Sequence, residues 1–184
     1  MTPIPIPHIP MTLVLGNATD IDGVFEIVQQ TIAEMKTYGN NQWDHRYPLR
    51  QRFEQDVASQ SLYVFKDGEK SRDIMGFIVV DDEEPDGYET ISWRSDRPCL
   101  IIHRLAVSAD HRQRGVASVL EAFACGLAQE RGITYLKVDT HSTNQRMQGF
   151  LDRKGYRQVG EMMAMGKEKP FYCYDKLLSV FERG

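Results

Sequence analysis

The stretch Arg112-Gln113-Arg114-Gly115-Val116-Ala117 lies between a nearly continuous apolar run, residues 99–107, and a helical stripe that begins at Val116. A run of that kind, interrupted only by His103 and Arg104, predicts a strand covered on both faces. After it, Val119, Leu120, Phe123, Leu127 and Ala128 recur on one face of a helix that Gly132 closes. The chain must pass from one element to the other through a short basic turn. A helix N-terminus exposes unpaired N–H groups and a partial positive charge, and an anion suits it. Gly115 and Ala117 leave room for a phosphate beside the backbone, and Arg112 and Arg114 add charge. The stretch therefore reads either as a solvated basic helix start or as a pyrophosphate cradle. A triphosphatase loop would need Gly-Lys-Ser/Thr and a dinucleotide fingerprint three glycines with a following acid; both are absent.

The remaining pattern places this turn in an α/β domain with a mixed sheet. Residues 12–15 read as a short strand, and Thr19-Asp20-Ile21-Asp22 has the form of a capping box. Val24, Val28, Ile32 and Met35 predict a helix that runs to Tyr38. Pro48 fits the first turn of a second helix carrying Leu49, Phe53 and Val57. Strands are predicted at 61–66 and 74–80, an antiparallel pair turning at Asp67-Gly68, then at 133–140, 156–163 and 171–178. A further helix spans 144–154 and ends at Gly155. Five acids in six residues surround Pro85; they read as a solvated loop or as a negative field that steers cationic acceptors.

At 184 residues a single domain over 11–184 is expected, since a chain this long buries roughly 70% of its unfolded surface without staples. The prolines at 3, 5, 7 and 10 make residues 1–10 a non-helical arm. Twenty-two basic against twenty-six acidic side chains leave a net charge of -4, which gives no global case for nucleic acid or an anionic membrane. No run reaches the roughly 18 apolar residues of a spanning helix, and a cytoplasmic location is expected. Cys99, Cys125 and Cys173 are widely spaced and read as reduced thiols, with no metal-ligand pattern. Exposed edge strands leave a homodimer open.

In Arg112, Gly115 and Ala117 the turn resembles the Arg/Gln-x-x-Gly-x-Gly/Ala signature of the GNAT superfamily of acyl-CoA-dependent N-acyltransferases. Leu105-Ala106-Val107 stands where its members have the strand leading into the loop, and Asn144 through Gly155-Tyr156 resembles the family's Asn, helix, Gly-aromatic segment. The resemblance implies a GNAT-type mixed, mostly antiparallel central sheet flanked by helices, and acetyl-CoA as acyl donor to an amine acceptor. It further implies that Leu105, Ala106 and Val107 offer backbone groups to the pantetheine arm and the thioester carbonyl. The amides of Gln113, Arg114, Gly115, Val116, Ala117 and Ser118 would take the pyrophosphate, and Asn144 would contact the cofactor or serve as a helix cap.

The chemistry implied is direct acetyl transfer in a ternary complex, which needs positioning, removal of a proton from an ammonium, a polarised carbonyl and a proton for the thiolate. Many family members carry a tyrosine seven positions after the helix asparagine, where this chain has Leu151. The glutamate frequent on the central strand is also missing, for residues 100–102 are Leu, Ile and Ile. His103 on that strand is a candidate base, because an imidazole ordinarily titrates near neutrality; it also reads as a buried strand histidine. His141 is a second candidate, with Asp139 to orient it or to bind a cationic acceptor; a capped polar turn is the other reading. In the connector at residues 42–47, Trp43 and Tyr47 are candidates to flank an acceptor and Asp44 to pair with its charge, unless they only anchor the two-helix connection. A non-catalytic acyl-CoA sensor and an unrelated phosphate-binding module remain rival readings at this point.

Overall fold

The computed structural model describes residues 11–68 and 71–179, so the proline-rich arm at 1–10 lies outside the described residues. The elements are β1 (Thr12–Leu15), α1 (Ile21–Thr37), α2 (Arg50–Ala58), β2 (Leu62–Lys66), β3 (Ile74–Asp81), β4 (Leu100–Val107), α3 (Val116–Glu130), β5 (Tyr135–His141), α4 (Gln145–Arg153), β6 (Arg157–Met162) and β7 (Phe171–Leu177). They build one sheet in the order β1-β2-β3-β4-β5-β7-β6. Every neighbouring pair is antiparallel except β4 and β5, which run parallel because α3 carries the chain across between them. The sheet is therefore mixed and mostly antiparallel.

Alternation along β3 decides which helix covers which face. Ile78 and Val80 join Ile102, Leu136 and Val138 under Leu120 and Ala124 of α3 and Leu151 of α4. Phe77 and Val79 point the other way, with Val64 and Ala106, onto Val24, Ile27 and Val28 of α1 and Phe53 of α2. Gly76 lets α3 lie close at its start: a Cβ there would stand 2.9 Å from the Ala106 carbonyl oxygen and 3.0 Å from the Val116 side chain. A third cluster, built from Tyr88, Ile91, Tyr135, Phe171 and Cys173, packs the segment between β3 and β4 against the far end of the sheet. Cys99, Cys125 and Cys173 carry free thiols, and among the described residues no helix is long and apolar enough to cross a membrane.

Two local expectations differ from the structure. The capping box belongs to Asn17 and Asp20, not to Thr19 and Asp22: the Asn17 side chain accepts from Thr19 N at 2.9 Å, and Asp20 accepts from Asn17 N at 3.1 Å. Asp20 takes this place because it also holds the buried Lys66 ammonium at 2.5 Å. Pro48 precedes the second helix, which starts at Arg50 with Leu49 extended at its N-cap.

The feature that positions the site is an irregularity in β4. Val80 pairs with Ile102 but Val79 with Arg104, so His103 faces no residue of β3. This bulge reverses the alternation: Ile102 lies on the α3 face, Arg104 packs against Phe53, and Ala106 joins the α1 face. On the other side, pairing of β4 with β5 ends at Ile102 and Val138. Residues 103–107 and 139–141 then diverge, opening the sheet at its centre.

Candidate functional site

Of the two divergent strands, β4 leads through a short 3-10 turn at Ala109–His111 into the turn before α3. Gln113 and Gly115 both take left-handed backbone, with φ of 61° and 79°, the geometry in which successive N–H groups form an anion-binding concavity. Gly115 is the N-cap of α3 and no side chain caps the helix, so the amides of Val116, Ala117 and Ser118 have no intrahelical acceptor. A Cβ on Gly115 would meet nothing within 4 Å; the cradle is open. These residues fit the pyrophosphate of an acyl-CoA, and Leu105, Ala106 and Val107 sit on the strand edge that β5 has left. Arg114 is exposed, whereas Arg112 pairs with Glu34 of α1 at 2.8 Å. Glu34 also holds Arg146 of α4, so one carboxylate ties together three elements around the cradle. Asn144 caps α4, accepting from Met147 N, and donates its amide to Gln42 at 2.8 Å.

On the opposite side of the sheet's opening lies a cleft of about 670 Å³, within the range of small-molecule sites. His103, Arg104 and Asp139 form part of its lining, with Trp43, Tyr47 and Arg52 from the α1–α2 side. Glu83, Glu84 and Asp86 follow β3, and Met162, Met163, Met165 and Phe171 come from the β6–β7 hairpin. His103 Nε2 lies 2.6 Å from Asp81 Oδ1. Asp139 accepts from Tyr88 OH at 2.8 Å, and burial pushes its carboxyl upward against that bond. The acid-rich loop is not merely solvated: Glu84 pairs with the buried Lys137, and Asp81 ends β3 against His103.

The structure brings His103, Asp139, Trp43 and Tyr47 to this cleft and leaves two candidates outside it. His141 is buried behind Phe171, with Nδ1 2.6 Å from Thr143 Oγ1 and Nε2 without a hydrogen-bond partner among the described residues. Its burial, then Lys167 and Lys169, hold it below the ordinary histidine value. Asp44 bonds Lys167 at 2.8 Å and Arg46 at 3.2 Å. Partial burial works against its ionisation, but those bonds prevail and keep its carboxyl well below the usual range.

Sequence reasoning missed the residues that hold the cleft in shape. Gln42 Oε1 accepts from Thr140 Oγ1, Asn144 Nδ2 and the His141 amide, locking the connector to the end of β5. Arg104, 3% exposed, donates to both Asp56 oxygens at 2.7 Å and to Tyr47 OH at 2.9 Å. The only signal in the sequence was an arginine inside an apolar run, which asks for a distant acid without saying which. Burial raises the Asp56 carboxyl, opposed by Arg104 and Arg52; such a pair adds little net stability, yet losing one member strands the other. Asp56→Ala should therefore cost about 3 kcal/mol in a denaturant titration, because a guanidinium stays buried without its counter-charge.

The comparisons agree with this geometry. The acetyltransferase (GNAT) family matches residues 27–156. A structure from Staphylococcus aureus Mu50, assigned as an acetyltransferase, is 30% identical, with a TM-score of 0.71 over 91% of this chain and 99% of that one. A GNAT-family acetyltransferase from Streptococcus agalactiae 2603 shares the fold at 24% identity and a TM-score of 0.78, covering 92% and 96% of the two chains. The NatC complex bound to Gag peptide and CoA has the same fold at 13% identity, with a TM-score of 0.66 over 92% of this chain and 99% of that one. No curated protein matches. With more than half its length matched by the family and its mixed sheet, open centre and uncapped basic turn in place, the chain belongs to the GNAT acetyltransferase family and is an acyltransferase.

Proposed function

We propose that the protein is an N-acetyltransferase that moves the acetyl group of acetyl-CoA to a primary amine by direct attack in a ternary complex. The observation that carries this reading is the end of β4–β5 pairing at Ile102 and Val138, with the open cradle at Gln113–Gly115 on one side and the cleft at His103 on the other. In this reading the backbone of Leu105, Ala106 and Val107 holds the pantetheine arm, and an N–H on that edge polarises the thioester carbonyl. The amides of residues 113–118 take the pyrophosphate, with Arg112 and Arg114 adding charge. Asn144 contributes through the α4 start that it caps.

His103 removes the proton from the bound ammonium. The freed amine attacks the carbonyl carbon, the carbon–sulfur bond breaks, and the nitrogen's second proton, released as the amide forms, balances the departing thiolate. Such a step asks for no tyrosine at position 151. His103 is preferred over His141 because it lines the cleft. Asp139 beside it receives the cationic end of the acceptor. Trp43, Tyr47, Phe171 and the three methionines favour an acceptor with an apolar body, since methionine packs adaptably around irregular shapes. Glu83 and Asp86 make no ion pair among the described residues and favour a second positive charge on it.

Calorimetric titration with acetyl-CoA, with ATP as control, tests the donor. Binding of acetyl-CoA alone is expected, followed by thiol release with amines. Diamines on an apolar chain should surpass neutral or carboxylate-bearing amines in kcat/KM. Folded protein that leaves acetyl-CoA unbound would end this reading.

A further inference from the structure

The bulge that opens β4 also aims His103 at the last residue of β3, and we infer that Asp81 is the positioning residue of the catalytic base, forming an Asp81–His103 dyad in place of the family's strand glutamate. This inference rests on the assignment of His103 as base.

Three observations carry it. Val80 pairs with Ile102 and Val79 with Arg104, so His103 is the residue left over, free of the strand's regular facing. Its ring meets Asp81 with Nε2 2.6 Å from Oδ1, and the two side chains are only 10% and 20% exposed. The carboxylate is itself fixed, since the same Oδ1 accepts from Glu83 N at 3.0 Å. A carboxylate only accepts, so Nε2 carries the hydrogen and Nδ1 keeps its lone pair. Nδ1 makes no hydrogen bond among the described residues, and it is not among the buried side-chain atoms without a partner. It is therefore reachable from the cleft that the ring lines.

The consequence is a base held in one tautomer by a buried acceptor. Nδ1 takes the ammonium proton, the ring becomes an imidazolium, and Asp81 stabilises that charge across the short hydrogen bond. Burial works to raise the Asp81 carboxyl, but the His103 bond and charge hold it below the usual carboxylate range. Other charged groups near the ring or lining the same cleft come from four neighbouring segments. Asp56 and Arg52 belong to α2, Arg104 to β4, Asp139 to β5, and Glu83 and Glu84 to the loop after β3. Among the charged groups of the described residues, Asp81 alone is hydrogen-bonded to His103.

The experiment compares the full chain with Asp81→Asn, Asp81→Ala and His103→Ala. Asp81→Asn, which keeps an acceptor for Nε2–H but not the charge, should retain more of the parent kcat than Asp81→Ala. Asp81→Ala, which frees the tautomer and ring orientation, should lower kcat on the order of 10–100-fold. Acetyl-CoA affinity should stay unchanged in both, which checks folding of the donor site. A second readout needs no turnover: nitrogen chemical shifts of the imidazole should report Nε2–H in the parent and a mixture of tautomers in Asp81→Ala. Loss of activity in His103→Ala, together with unchanged rates and tautomer in both Asp81 variants, would overturn the dyad and leave the base in place. Full activity in His103→Ala would instead overturn the base itself.

Discussion

Gly115→Glu should abolish detectable acetyl-CoA binding, a loss of at least about 100-fold, while the protein stays folded. The two halves of that expectation have separate causes. A glutamate at this N-cap puts a carboxylate where the α3 dipole and the free amides of Val116, Ala117 and Ser118 point, and the same field that suits a pyrophosphate then holds an internal competitor. Two like charges cannot share that concavity without a large penalty in affinity. Folding suffers much less, because a Cβ at Gly115 meets nothing within 4 Å. The remaining cost is the backbone, held at φ 79°, and a side chain in the left-handed region costs roughly 1–2 kcal/mol. Gly115→Ala separates the terms: it carries the same backbone cost without the charge. Calorimetry on both variants should show weakened binding for alanine and none for glutamate, with similar melting temperatures. Normal affinity in Gly115→Glu would mean that the turn is only a solvated helix start.

How much of this was legible in the sequence follows from how local each cause is. The turn before α3 was readable because its requirements sit within six consecutive residues: a glycine where the chain takes positive φ, basic neighbours, and the first turn of an amphipathic stripe. The order of strands and helices was readable from periodicity for the same reason. The cleft was not. Its shape depends on the bulge at His103, and a bulge is a property of two strands in register; nothing in residues 99–107 says that Val79 will pair with Arg104 and not His103. Asp81 looked like the first member of an acidic run, and only the register places it against the imidazole. Arg104 shows the same limit, because its acceptor Asp56 is 48 residues away on a helix whose own pattern gave no reason to bury an acid. His141 was plausible on sequence because it ends a strand beside Asp139. Adjacent residues of a strand face opposite ways, but His141 and Asp139 lie two apart and share a face; what separates them is Phe171, which packs edge-on against the His141 ring and itself borders the cleft.

His103→Ala should lower kcat with every accepted amine by about 10²–10⁴-fold, the usual worth of a positioned general base, with acetyl-CoA affinity retained. His141→Ala serves as the comparison and should behave in the opposite way. Removing a ring that is 1% exposed, packed against Phe171 and bonded to Thr143 disturbs the end of β5 and the start of α4. Its signature is lower thermal stability with kcat nearly intact. The two outcomes cannot be exchanged by a common structural defect, because one lowers rate without stability and the other stability without rate. A further arm separates base catalysis from loss of a cleft wall. His103→Ala should regain activity as pH rises, since an acceptor that is already neutral no longer needs its proton removed, whereas a variant that has lost acceptor contacts would show a raised KM at every pH. If His103→Ala shows only the raised KM, His103 is part of the acceptor's binding surface and positioning alone carries the transfer.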